Sequence, residues 1–196
     1  MGLKNDSEQA LKLHHDSILV DMHCDAYGAL MPFELRTMTP MMRRLFPVER
    51  SLGERSDSGQ VDLPRLIEGG TDCINFVTAG PGTLKLALQG IDVVYSEVEK
   101  NSDKIAIVKN YDEIMNNVAE GKISVLLSFE GADPIEGDLR ILRMVYKLGI
   151  RLITLVWAYR NLLADSCSEQ RELGGLSSVG VSFVEEMNRL GMLVDV

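Results

Sequence analysis

The chain alternates between short apolar runs and longer amphipathic segments. Apolar runs that continue for several residues are typical of strands buried on both faces of a parallel sheet. Six runs predict strands: ILVDMH from Ile18, TDCINFVTAG from Thr71, KIAIVKN from Lys104, ISVLLSFEGADP from Ile123, IRLITLVW from Ile150 and MLVDV from Met192.

The segments between these runs carry helical patterns and helix end signals. In DLRILRMVYKLG, apolar residues recur at helical spacing, Asp138 stands at the predicted start and Gly149 follows the predicted end. Gly121 is the predicted C′ glycine of the helix before the fourth run. The remaining predictions are a short helix in VDLPRLIEGG, helices over Leu84 to Asn101 and VGVSFVEEMNRLG, and a loop with a short helix over residues 31–59.

Alternating strands and helices indicate βα units and a parallel sheet, so the predicted fold class is α/β. A doubly wound sheet and a (β/α)₈ TIM barrel both fit this order. Polar residues at the carboxyl ends of several strands favour the barrel, as does the lack of a Gly-x-Gly-x-x-Gly turn after the first strand. About six units are present, so we expect an incomplete barrel with an apolar sheet edge, with residues 1–196 as the N-terminal part of one domain.

Composition and charge restrict the classes of binding partner that we expect for this chain. The net charge is −9 and the 20 basic residues form no stripe, which argues against nucleic acid and against anionic membrane surfaces. No apolar stretch approaches the ~20 residues that span a bilayer. The N-terminal residues carry scattered charges and no apolar h-region, so we expect no secretory signal. The cysteines, Cys24, Cys73 and Cys167, are odd in number and far apart, so we expect reduced thiols in a cytoplasmic protein.

His23 and Asp25 end the first predicted strand. Residues two apart in a strand point to the same face, so both side chains should project into the mouth of the barrel. An imidazole and a carboxylate at this spacing suit a divalent cation such as zinc. A histidine that only hydrogen-bonds a nearby carboxylate is the open alternative. Cys24 should face the other way.

Glu130 ends the fourth predicted strand in the same manner. Alternation puts it on one face with Leu126 and Ser128. A carboxylate that closes an apolar strand is costly to bury unless it is paired or binds a cation, so Glu130 is a third candidate ligand. A helix cap or an ion pair remains the alternative for this residue.

Several motifs in this order resemble the membrane (renal) dipeptidase family of zinc peptidases. They are LVDMHCD, GQVDLPRLIEGGTDCINFV, SFEGADPIEGDLRILRMVYKLGIRLITLVWAYRNLLADS, GGLSSVG and EEMNRLGMLVDV. The resemblance implies a (β/α)₈ barrel with two zinc ions, of which His23 and Asp25 bind the first and Glu130 bridges both. In the family, two later histidines complete the second site. Trp157 stands where the mammalian enzyme has a substrate-contacting histidine, which implies a substrate-binding residue and a bacterial-type member.

The implied activity is hydrolysis of dipeptides by a water that bridges the two zinc ions. We expect residues 1–196 alone to be inactive, because the family's two later histidines lie beyond Val196. The alternative is a truncated, non-catalytic metal-binding or interaction protein. Another metallohydrolase of the wider amidohydrolase type is disfavoured, because those open with His-x-His and this chain has His-x-Asp. The sequence leaves a homo-oligomer open.

Overall fold

A computed structural model describes residues 2–31, 50–168 and 174–196. Part of the segment predicted as a loop with a short helix, residues 32–49, lies outside the described residues. The helices are α1 (Gly2–Asp16), α2 (Tyr27–Leu30), α3 (Leu63–Glu68), α4 (Leu84–Lys100), α5 (Tyr111–Glu120), α6 (Leu139–Lys147) and α7 (Ser178–Leu190), with a 3₁₀ turn at Asp133–Ile135. The strands are β1 (Val20–Cys24), β2 (Cys73–Ala79), β3 (Ile105–Ile107), β4 (Ile123–Glu130), β5 (Ile150–Thr154) and β6 (Leu193–Asp195).

The strands form one parallel sheet with helices between them, so the predicted α/β class is confirmed. The continuous strand order is β1-β2-β4-β5-β6, and every pairing is parallel. This is a half-barrel, consistent with an incomplete (β/α)₈ barrel.

The third strand lies off the continuous strand order. It pairs with the first residues of β4, through Ile105 opposite Ile123, and does not stand between β2 and β4. The longer β4 therefore contacts β2 along one edge, and β3 followed by β5 along the other. The sheet therefore has six strands, of which five form the continuous order and β3 pairs with β4 beside it.

Local signals explain the helix ends. Asp138 caps α6 by accepting a hydrogen bond from the Arg140 amide at 2.7 Å, as its position predicted. Gly121 ends α5 in the left-handed conformation, at φ 69°.

The hydrophobic core lies between the sheet and its helices. Register partners on neighbouring strands carry buried apolar side chains at the same level, such as Phe76 on β2 opposite Leu127 on β4. Phe129 pairs with Ile153 in the same way, and Phe183 of α7 joins the same apolar cluster. Burial of a Phe- or Leu-sized side chain contributes roughly 1.5–3 kcal/mol. This burial stabilises the register in which β4 pairs with its neighbours.

The two ends of the strand order expose apolar side chains, as the sequence predicted for an open sheet. Val20 and Met22 of β1 and Leu193 of β6 are each more than 40% exposed. Among the described helices, none has both the length and the apolar character that a membrane span requires.

Candidate metal centre

The end of β1 presents two of the predicted ligands. His23 and Asp25 are exposed, whereas Cys24 between them is buried, as strand alternation predicted. Burial raises the pKa of the Cys24 thiol to about 11, so this sulfur is a neutral core group. The side-chain amide of Asn75 on β2 donates to the Met22 carbonyl at 2.7 Å and ties this end of β1 to the sheet.

The end of β4 presents the third predicted ligand, Glu130. Glu130 is the last strand residue, and Gly131 follows with φ 106°, a conformation that L-residues rarely adopt. The Gly131 amide donates to the Thr154 carbonyl at 3.1 Å, so the turn after Glu130 is held against β5. The carboxylate thereby stays at the carboxyl edge of the sheet.

The three side chains converge on one point. His23 Nε2 lies 3.5 Å from Asp25 Oδ2 and 3.7 Å from Glu130 Oε1, and one ligand atom of each lies within 4.8 Å of the others. Asp25 has no Lys or Arg ion-pair partner within the described residues, and neither has Glu130. One imidazole therefore faces two carboxylates with no further cation between them in the part of the chain that the structure describes.

The electrostatics of this cluster favour a cation. Burial raises the pKa of Glu130, and the carboxylate of Asp25 raises it further, while His23 acts in the opposite direction. Burial raises the pKa of the half-buried Tyr27 phenol to about 12, and the charges of Asp25 and Glu130 act in the same direction. A second carboxylate that opposes the ionisation of Glu130, beside an imidazole nitrogen, gives a set of nitrogen and oxygen donors that fits zinc.

A row of polar side chains extends from Glu130 across the sheet. Glu130 is in register with Thr154 of β5, and Thr154 with Asp195 of β6. The Thr154 hydroxyl donates to Asp195 Oδ2 at 2.5 Å. Asp195 also raises the pKa of Glu130. Sequence reasoning missed Asp195 as a neighbour of the site, although its place at the end of a strand was a usable signal.

Trp157, the predicted substrate-binding residue, stands in the loop after β5. The residue is 42% exposed, so it does not belong to the hydrophobic core. Its proximity to Glu130 lowers the pKa of that carboxyl. The loop therefore brings an aromatic ring to the candidate site.

Other polar side chains lie outside the cluster. His14 and His15 are on α1, where His14 Nε2 contacts the Gly69 carbonyl at 2.7 Å. Asn161 braces the loop after β5 through a hydrogen bond to the Leu155 carbonyl at 2.8 Å, and Asp165 pairs with Arg160 at 2.7 Å. These contacts give His14, Asn161 and Asp165 structural roles away from the cluster.

A parallel half-barrel that carries an imidazole and two carboxylates at its carboxyl edge defines the class of metal-dependent barrel hydrolases. Within this class the chain belongs to the membrane dipeptidase family, peptidase family M19, whose model matches residues 7–196.

Curated relatives agree with this membership. Dipeptidase verJ of Clonostachys rogersoniana is 36% identical over 221 aligned positions, which cover 100% of this chain and 52% of the relative. Dipeptidase 3 of Mus musculus is 32% identical over 96% of this chain and 38% of its own length. The chain therefore spans about half or less of these relatives.

Solved structures share the fold. A Rhodobacter sphaeroides metallopeptidase, bound to a phosphinate mimic of the dipeptide L-Ala-D-Ala, matches with a TM-score of 0.73 at 21% identity, over 91% of this chain and 57% of its own. An amidohydrolase of Pseudomonas aeruginosa matches with a TM-score of 0.72 at 22% identity, over 95% of this chain and 47% of its own.

Proposed function

We propose that this chain supplies the first metal-binding half of the active site of a zinc-dependent dipeptidase. The observation that carries the proposal is the convergence of His23, Asp25 and Glu130 within 4.8 Å in a chain of the membrane dipeptidase family. Two of these donors come from β1 and its end, and the third comes from β4. A packed and paired sheet therefore fixes the distance between them.

The chain's residues divide the work. His23 and Asp25 would hold one zinc ion, and Glu130, which has two oxygens, would be the carboxylate shared with a second ion. Bound zinc supplies Lewis acidity toward a peptide carbonyl and lowers the pKa of water to ~7. The exposed ring of Trp157 lines the pocket for the dipeptide beside Glu130. L-Ala-D-Ala is the first substrate to test, because a mimic of it is bound by the Rhodobacter sphaeroides relative.

Zinc binding by the 196-residue chain tests the metal site. We expect His23→Ala to weaken zinc binding by at least about 100-fold, since loss of an outer-shell partner alone costs ~10–100-fold. Competition with a chromophoric chelator measures the affinity, and metal analysis of the protein gives the stoichiometry. His15→Ala on the exposed α1 is the matched control. Equal affinity of the His23→Ala variant and the wild type would remove His23 from the ligand set.

Hydrolysis by residues 1–196 alone is a separate expectation. We expect no zinc-dependent hydrolysis of L-Ala-D-Ala, because the cluster within the described residues offers one imidazole and two carboxylates, too few for two catalytic zinc ions. Assays with and without a chelator measure this. Turnover that is lost on chelation and restored by zinc would contradict the expectation.

If the reading frame continues beyond Val196 with further histidines, the dipeptidase proposal is supported for the gene. A stop codon there supports the non-catalytic alternative.

A further inference from the structure

Three polar side chains stand at one level across neighbouring strands at the carboxyl edge of the sheet. Glu130 of β4 is in register with Thr154 of β5, and Thr154 is in register with Asp195 of β6. Register partners of a parallel sheet present their side chains to the same face, so Asp195 faces the side on which Glu130 lies. Two strand spacings, about 10 Å in total, separate the backbones of Glu130 and Asp195. Asp195 is therefore a further carboxylate near the metal-binding end of β4, outside the ligand cluster itself.

Hydrogen bonds from β5 hold Asp195 in this place. The Thr154 hydroxyl donates to Asp195 Oδ2 at 2.5 Å. The Leu155 amide donates to the Asp195 carbonyl oxygen at 3.1 Å, so the backbone of β6 is fixed at the same level. The half-buried Asp195 has no Lys or Arg ion-pair partner within the described residues. Its charge is therefore not compensated by a basic side chain in this part of the chain.

Thr154 connects Asp195 with the turn that carries Glu130. The Thr154 carbonyl accepts from the Gly131 amide at 3.1 Å, directly after Glu130. Ile153, the preceding residue of β5, is fully buried, so β5 is anchored in the core at this level. The backbone of Thr154 thus fixes one acidic residue and its hydroxyl fixes the other.

The negative charge around a cation site tunes its affinity, and a charge acts over a Debye length of ~10 Å at 0.1 M salt. We propose that Thr154 is a positioning residue that holds the Asp195 carboxylate beside the metal centre, where its charge strengthens zinc binding without contacting the metal. This inference rests on the proposed zinc site and adds to it two residues that are not ligands. A hydrogen bond that only ties β6 to β5 is the structural alternative, and the experiment separates the two.

Asp195→Asn removes the charge and keeps the shape, and its side-chain oxygen can still accept from the Thr154 hydroxyl. At low ionic strength we expect the 196-residue chain to bind zinc about 10-fold more weakly, measured by competition with a chromophoric chelator. In about 1 M sodium nitrate the Debye length falls to ~3 Å, so the affinities of the variant and the wild type should differ by less than about 2-fold. Asp92→Asn, on the exposed face of α4, removes the same charge away from the site and should match the wild type at both salt concentrations.

Thr154→Val keeps a β-branched side chain and removes the hydroxyl that holds Asp195. We expect about 3-fold weaker zinc binding at low ionic strength, because the Asp195 carboxylate is then free to turn toward solvent. Thr154→Ser returns the hydroxyl and should restore the wild-type affinity. In the Asp195→Asn background, Thr154→Val should cause no further loss. Far-UV circular dichroism checks the fold of each variant, and Asp195→Asn remains informative if Thr154→Val does not fold.

The outcomes separate this inference from the proposed function. If the wild type does not bind zinc, or binds it with no dependence on His23 and Glu130, the proposed function fails. If binding depends on those ligands but Asp195→Asn retains the wild-type affinity, the role of Asp195 is wrong. A loss that is equally large at low and high salt also contradicts it, because salt does not screen an effect of strand pairing.

The result for Thr154 decides the positioning role. Wild-type affinity in a folded Thr154→Val variant would show that the hydroxyl does not place the Asp195 charge. A loss in Asp195→Asn that fades with salt, together with restoration of affinity by Thr154→Ser, supports the inference.

Discussion

Glu130→Gln should remove most of the metal affinity and, with it, the chemistry. Glutamine has nearly the shape of glutamate, but its amide nitrogen cannot bind a cation and its oxygen carries no full charge. We expect zinc affinity of the 196-residue chain to fall by at least about 100-fold. In a form that spans the full length of its relatives, kcat/KM for a dipeptide should fall by about 1,000-fold or more, because metal ions contribute several kcal/mol of transition-state stabilisation.

The design of this test uses the position of Glu130 at the strand end. Its side chain is 26% exposed and outside the apolar cluster, so the substitution should leave the urea midpoint unchanged. Glu185→Gln on the exposed face of α7 makes the same chemical change away from the site and should have no effect. Retained zinc affinity in Glu130→Gln would show that the carboxylate is not a ligand, and the two-metal proposal would lose its bridging group.

The α/β class and most of the elements could be predicted because local signals set them. Long apolar runs separated by amphipathic segments require a covered parallel sheet, and residues such as Asp138 and Gly121 set helix ends through contacts a few positions away. The place of β3 could not be predicted, since Ile105 pairs with the start of β4 for reasons of register that no local pattern encodes.

The residues of the candidate site also fall into a group that the sequence could predict and a group that it could not. Strand alternation alone put His23 and Asp25 on one face, and the position of Glu130 at a strand end gave the third group. Asp195 and the proximity of Trp157 to Glu130 depend on which residues stand at the same level of neighbouring strands. An irregularity in the pairing of β4 with β5 shifts the register between these strands, and no sequence pattern marks this shift. Cytoplasmic localisation stays a prediction.

Gly90→Ala should be the most destabilising small substitution in the sheet–helix interface. Gly90 lies in α4, and a Cβ there would stand 1.9 Å from the Thr78 carbonyl oxygen of β2, a distance that atoms do not tolerate. Thr78 is fully buried and its hydroxyl donates to the Ser128 carbonyl at 3.0 Å, so β2 cannot move aside without disturbing β4. We expect a loss of about 3 kcal/mol in the free energy of unfolding, measured by urea titration.

The direction of the stability change in Gly90→Ala identifies its cause. In an open helix interior, glycine to alanine stabilises by ~1 kcal/mol, so a lower stability of Gly90→Ala can come only from the contact with β2. Asp92→Ala on the exposed face of α4 controls for helix propensity and should be neutral or stabilising. A Cβ on Gly80, just after β2, would lie 3.7 Å from the Glu130 carbonyl, so this end of β2 lies against the metal-binding end of β4. Gly90→Ala should therefore also weaken zinc binding, and unchanged stability and affinity would show that α4 does not set this edge of the site.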